Sequence, residues 1–200
     1  MIRKRVYNNV HKSNINKECG VQSSNTPIGE EQKALAVIAY AGLQKSFFQS
    51  INCNIVLFQK EILHAAFTKK LLQQEIQRKK EEYMNETGSP TKTGNIRMGV
   101  TLYYYSKYFD LSPQEILDEH ENNFRIPVQD ILKITYTFDV NELQDVPPRR
   151  LRPGKLRIAT SSKEYTYIFG SIPAKELLSA LQEIWADLSI EEGKASWTKS

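Results

Sequence analysis

Six basic residues crowd the stretch bounded by Asp145 and Glu164: Arg149, Arg150, Arg152, Lys155, Arg157 and Lys163. With its two bounding acids the stretch carries +4, the formal net charge of the whole 200-residue chain, so everything outside it sums to zero. Guanidinium forks match phosphate oxygens in both geometry and charge. In the run PPRRLRPGKLR, prolines on both sides of the arginines stiffen the loop, which lowers the ordering cost of binding. Arg149, Arg150, Arg152, Lys155 and Arg157 are therefore candidate contacts to phosphate, on a lipid headgroup or on nucleic acid. The plainer reading is an exposed hairpin loop kept soluble by its charge.

Five aromatic residues, Tyr103, Tyr104, Tyr105, Tyr108 and Phe109, stand close together around Lys107. One helical face cannot bury all five. Tyr105 and Phe109 fit an inward face. Tyr103, Tyr104 and Tyr108 are candidates for a partner surface, where aromatic residues are enriched. The competing reading has them wrapping this segment against the rest of the fold. Farther up the chain, Lys69, Lys70, Arg78, Lys79 and Lys80 lie on a predicted helix but are offset by Glu75, Glu81 and Glu82. That balance reads as a solvated face rather than a nucleic-acid helix.

Catalytic and metal chemistry find little to work with. Asp118 and Glu121 are three apart and can share a helix face, but His120 points elsewhere and no histidine sits four residues from it. His64 lies in an apolar run and reads as a core histidine with its hydrogen bonds satisfied. Cys53 reads as buried and inert. No serine or cysteine has an identifiable base partner, and neither a glycine-rich dinucleotide loop nor a P-loop occurs. The sequence predicts no catalytic residue, no metal site and no cofactor.

Bulk properties set the frame. Two hundred residues, 40% of them hydrophobic, fit one domain with a real core. A net charge of +4 is too mild to imply nucleic acid by itself. The two cysteines, Cys19 and Cys53, sit in no CxxC pattern, which argues against a disulfide framework or a zinc site and suits a reducing compartment. The start MIRKRVYNN has no apolar run behind it and does not read as a secretory signal. No stretch approaches roughly 18 consecutive apolar residues. The expectation is a soluble cytoplasmic protein.

These candidates need elements to hold them. Residues 1–29 read as a polar, basic, poorly ordered leader, with Arg3, Lys4, Arg5, Lys12 and Lys17. Residues 30–47 carry helix-forming composition and strand-like alternation in equal measure. INCNIVLF and EILHAAF read as two strands about Gln59-Lys60, although that turn lacks glycine or asparagine. Residues 68–86 read as a helix with Leu72, Ile76 and Tyr83 near one face and a Glu75–Lys79 surface pair. TGSPTKTGN ends it. Met98, Leu102, Tyr105 and Phe109 recur at helical spacing, and Ser112-Pro113-Gln114-Glu115 is a capping box opening a short helix to about Glu121. Residues 68–123 thus form a helical insertion between strands.

Period-two alternation returns at 130–140, with Leu132, Ile134, Tyr136, Phe138 and Val140 facing one way. Leu156 and Ile158 alternate with Lys155 and Arg157. Past a Ser161-Ser162 turn, Tyr165, Tyr167 and Phe169 line the next strand. A helix over 173–188 presents Leu177, Leu181, Ile184, Trp185 and Leu188 as one apolar stripe. Residues 189–200 read as a tail.

The closing run GKLRIATSSKEYTYIFGSIPAKELLSALQEIW resembles the last two strands and helix of the pleckstrin-homology (PH)-like superfold. FRIPVQDILKITYTF resembles the IP-x-x-[DE]-I lead-in to the middle strand of bacterial and archaeal PH-like and GRAM-like domains. In those domains the acidic residue caps the strand and the isoleucine enters the core. NCNIVLFQKEILHAAF resembles their N-x-x-L-T-[DN]-x-R-[LI] hairpin, with Phe58, Gln59-Lys60 and Glu61 departing from it. The helical insertion resembles that of an uncharacterised prokaryotic subset. The resemblance covers roughly residues 30–188. It implies an α+β fold, a bent antiparallel barrel closed by a C-terminal amphipathic helix, and tips residues 32–40 toward strand. It further implies a non-enzymatic binding module whose partner is a protein, held at a sheet edge or beside the closing helix. Anionic membrane headgroups on residues 149–157 are the alternative, and nucleic acid on the same loop the second alternative. The phosphoinositide site usual in PH domains follows the first strand, so the basic cluster here does not correspond to it.

Overall fold

Nine strands make one sheet in the computed structural model, which describes residues 10–12, 33–46, 49–88, 93–137, 154–170 and 174–193. The strands are β1 Val10–Lys12, β2 Ala36–Gln44, β3 Ser50–Leu57, β4 Glu61–Ala66, β5 Phe124–Pro127, β6 Ile131–Thr137, β7 Gly154–Thr160, β8 Glu164–Phe169 and β9 Ile190–Glu192. Four helices accompany them: α1 Lys69–Thr87, α2 Thr93–Tyr103, α3 Pro113–Asp118 and α4 Ala174–Ile184. The class is α+β. Strand order is β5-β4-β3-β2-β8-β7-β6-β9, with β1 also on β2, and every pairing is antiparallel except β6 with β9.

The sheet is open, which corrects the closed barrel expected from the sequence. Its path runs from β5 to β9, and these two do not pair among the described residues. The edge of β2 that faces away from β3 is divided. Residues 36–38 pair with β1, leaving only Gly42 and Leu43 to pair with β8. The two halves of the sheet are therefore joined by a short seam.

A bulge makes that division workable. Ile38 pairs with Ile55 but Ala41 pairs with Cys53, so β2 carries one extra residue here. Tyr40 sits in it at φ 57°, the left-handed region, and its N–H donates to the buried Asn54 Oδ1 at 3.0 Å. The extra residue resets the alternation, so Ala36, Ile38, Ala41 and Leu43 all face one core while Val37 and Ala39 face another. Residues 36–44 are strand, buried on both faces over 36–39; of the 32–40 that the resemblance tipped toward strand, 36–40 are strand and 33–35 are not.

The first core lies between the sheet and α4. Leu177, Leu181 and Trp185 insert among Ile55, Leu57 and Ile134. The Trp185 indole N–H donates to the carbonyls of Phe58 (3.2 Å) and Gln59 (3.0 Å), and the Gln59 amide donates to Ile184 O at 3.2 Å. The β3–β4 turn needs no glycine, since none of its residues has a positive φ: Phe58 N–H bonds Glu61 O, and Ile184 and Trp185 at the end of α4 hold Phe58 and Gln59. The second core packs the insertion onto the opposite sheet face, with Tyr104, Tyr108 and Ile116 against Val37, Val56, Phe58 and Leu63.

Three strand expectations are revised. Ile131 pairs with Thr160 and Lys133 with Ala159, so Leu132 is the surplus residue of a bulge and lies 65% exposed, while Ile131 is buried in its place. Phe124–Pro127 returns as β5 along β4. The expected tail supplies β9, and the expected leader supplies β1. Asp130 makes no side-chain hydrogen bond among the described residues, so it does not cap β6, although Ile131 does enter the core. Within the described residues no helix is long and apolar enough to cross a membrane.

Candidate functional site: the groove of the helical insertion

The arginine-rich cluster is only partly placed. Arg149, Arg150 and Arg152 lie outside the described residues. Lys155 and Arg157 lie two apart on β7, alternating with the buried Gly154, Leu156 and Ile158, and so share its outward face. Arg157 is exposed and Lys155 half-buried.

The tyrosine trio divides. Tyr103 is 61% exposed, whereas Tyr104 is 2% and Tyr108 0% exposed. The latter two are removed from the expected partner surface. The segment Tyr104–Phe109 is a 3-10 turn rather than a continuation of α2. Its tighter spacing brings Tyr104, Tyr105 and Tyr108 together onto the second core. Burial pushes the Tyr104 and Tyr108 hydroxyls to higher pKa. Met98 and Leu102, one face of the expected apolar stripe, point to solvent instead.

Between α1 and α2 lies a groove of about 870 Å³. Sequence builds its walls locally. Thr68 caps α1, its Oγ1 accepting from Leu71 N–H at 3.2 Å, and Gly88 ends it at φ 65° with its N–H on Met84 O. None of the 19 residues of α1 is buried. Ion pairs hold its surface instead. Arg78 reaches Glu75 at 2.6 Å and also Glu82, while Lys79 bonds Glu82 at 2.8 Å. The expected Glu75–Lys79 pair is thus replaced by Glu75–Arg78, and the Arg78 hydrogen bond holds the Glu75 carboxyl below its usual range. Ile96, Val100 and Tyr103 supply the α2 wall.

Lys107 forms the floor. Its Nζ donates to Glu119 Oε1 at 2.5 Å and to the Tyr104 hydroxyl at 2.9 Å, and lies 4.3 Å from the Tyr104 ring centroid. Burial opposes its charge, but the Glu119 and Tyr104 contacts outweigh this and raise its pKa. The amine is therefore held protonated, a structural cation rather than a nucleophile or base. Glu119 Oε2 is buried without a hydrogen-bond partner among the described residues. Sequence reading missed this floor because Lys107 and Glu119 are twelve residues apart across the 3-10 turn and α3. The capping box at Ser112 and Glu115, which orients α3, is formed as expected.

The remaining candidates lie elsewhere. His120 Nδ1 accepts from Asn122 N–H at 3.1 Å, and Asp118 accepts from Gln114 at 2.8 Å, so both serve local turns. Cys53 is fully buried and its thiol is pushed up to about 12 by that burial. His64 is fully buried as expected, but neither ring nitrogen has a hydrogen-bond partner among the described residues, which corrects the satisfied core histidine. Its ring stacks on Phe124 at 4.6 Å, Phe124 stacks on Tyr165, and the Lys163 ammonium covers Tyr165 at 4.5 Å.

No protein-family model and no curated protein matches the chain. Among solved structures it is similar to the hSac2 domain from human phosphoinositide phosphatase Sac2, with 9% identity and a TM-score of 0.37 over 86% of this chain and 84% of that one. So distant a likeness fixes neither fold nor function.

Proposed function

We propose that this chain is a non-enzymatic binding module of PH-like fold, in the cytoplasm, whose partner is a protein seated on the helical insertion. Supporting the PH-like reading are the sharply divided β2, the meander β6–β8 and the α4 clamp on the β3–β4 turn. One observation carries the partner surface. Five of the seven large exposed apolar residues among those described, Tyr83, Met84, Met98, Leu102 and Tyr103, gather on α1 and α2. Helices of this length draw most of their stability from packing an apolar face, and α1 buries none of its residues. The sheet edges and α4, where a partner was first expected, offer less. The described inward residues of α4 are already committed to the first core.

The test compares quantitative pull-downs by the wild type and by Met98→Asp/Leu102→Asp/Tyr103→Ala, with circular dichroism to show that both fold. Proteins depleted at least about tenfold by the variant support the reading; an unchanged partner profile sinks it. A second reading, attachment to anionic membrane through the basic loop, is favoured by Lys155 and Arg157 sharing one outward face. It requires co-sedimentation with phosphatidylserine vesicles that weakens as salt rises.

A further inference from the structure

The groove also states the chemistry of what fills it. Of the charged residues lining it, five are carboxylates and three are cations. All three cations are spent: Arg78 and Lys79 on Glu75 and Glu82, Lys107 on Glu119. Glu86 and Asp110 are left over, both exposed and with side chains that make no ion pair or hydrogen bond among the described residues. Apolar groups lie between them, from Ile96 and Val100 to the half-exposed rings of Tyr83 and Tyr103.

These two carboxylates reach the groove from different elements. Glu86 is in the last turn of α1, eleven residues past Glu75, which is about 16 Å along a helix. Asp110 comes from the end of the 3-10 turn beyond α2, with its N–H on Lys107 O at 3.1 Å, and lines the same groove. Eleven residues are also close to three whole helical turns. A helix laid along α1 would therefore keep one face on the groove over the whole span from Glu75 to Glu86.

Resting on the protein-partner reading above, we infer that the α1–α2 groove binds a cationic amphipathic helix of a partner protein. Its apolar face lies on Val100, Tyr83 and Tyr103, and arginine or lysine flanking that face reaches Glu86 and Asp110. The segment completes a three-helix arrangement that α1 and α2 leave unfinished.

Fluorescence anisotropy tests this on the full chain with two labelled peptides of about 18 residues. Both carry the same leucine stripe; one has arginines flanking that stripe, the other glutamates. The expected result is that the arginine peptide binds at least about tenfold more tightly, and that this preference shrinks between roughly 50 and 300 mM salt. The variant Glu86→Lys/Asp110→Lys should lose at least about tenfold for it and gain the glutamate peptide. Equal binding of both peptides, or a variant with unchanged preference, overturns the charge assignment while leaving the insertion as a partner surface. Failure of both peptides to bind overturns the helix as occupant. The pull-down comparison then judges the broader reading separately, because it does not depend on charge or helicity.

Discussion

A buried imidazole with both nitrogens unpartnered resists taking up a proton, and His64 is such a group. Burial first, then the positive charge of Lys45 and His120, lowers its pKa from 6.5 to about 4. In the unfolded chain the same ring protonates near 6.5. Between those values the unfolded state holds the extra proton, so stability falls as pH drops through that window and is flat above it. The span corresponds to roughly 3 kcal/mol. Urea denaturation at intervals from pH 7.5 to 4.5 should show this slope, and His64→Leu should flatten it. A variant as acid-sensitive as the wild type would remove His64 as the cause. The sequence showed that His64 is internal, since its apolar neighbours say so. It could not show the missing partners, because hydrogen bonding depends on residues brought in by β5 and β8, far along the chain.

Elements were legible where one local signal decided them, and illegible where a single extra residue did. The TGSPTKTGN stop, with Gly88 as its cap, and the Ser112–Glu115 box mark helix ends with chemistry that acts within four residues. The α4 stripe is likewise local. In β6, by contrast, Ile131 and Leu132 are equally apolar, and alternation counted back from Ile134 selects Leu132. The bulge reverses that choice, and nothing in a run of isoleucines and leucines announces it. The same holds for Tyr104–Phe109, where the change from α to 3-10 winding moved two tyrosines from a candidate surface into the core. A paired measurement separates the two readings of β6. Ile131→Ala should destabilise by about 2–4 kcal/mol, as a buried aliphatic truncation does. Leu132→Ala should stay within about 0.5 kcal/mol, as exposed substitutions do. Reversed values in thermal or denaturant unfolding would restore the unbulged register.

At the scale of the molecule, the insertion is two things. Its base is core: Tyr104, Tyr108 and Ile116 are buried against β2, β3 and β4, and their loss would expose Val37, Val56, Phe58 and Leu63. Its tip is not, since α1 buries nothing and α2 exposes Met98, Leu102 and Tyr103. Excision therefore should act in opposite ways at the two levels. Replacing residues 74–98 by a short Gly/Ser linker removes Tyr83, Met84 and Met98 with most of both helices, and keeps Leu71, Leu72 and Val100, which pack partly against the second core. Linker length adds little entropy, because loop closure grows only slowly with length. That chain should fold, with a stability loss under about 2 kcal/mol, and should lose the partner. Replacing residues 69–118 entirely strips the outer sheet face and should yield a chain that aggregates or unfolds noncooperatively. Circular dichroism, calorimetry and the pull-down together read both outcomes. If the shorter excision also abolished cooperative unfolding, the tip would be part of the fold, and its exposed apolar face would need no partner to explain it.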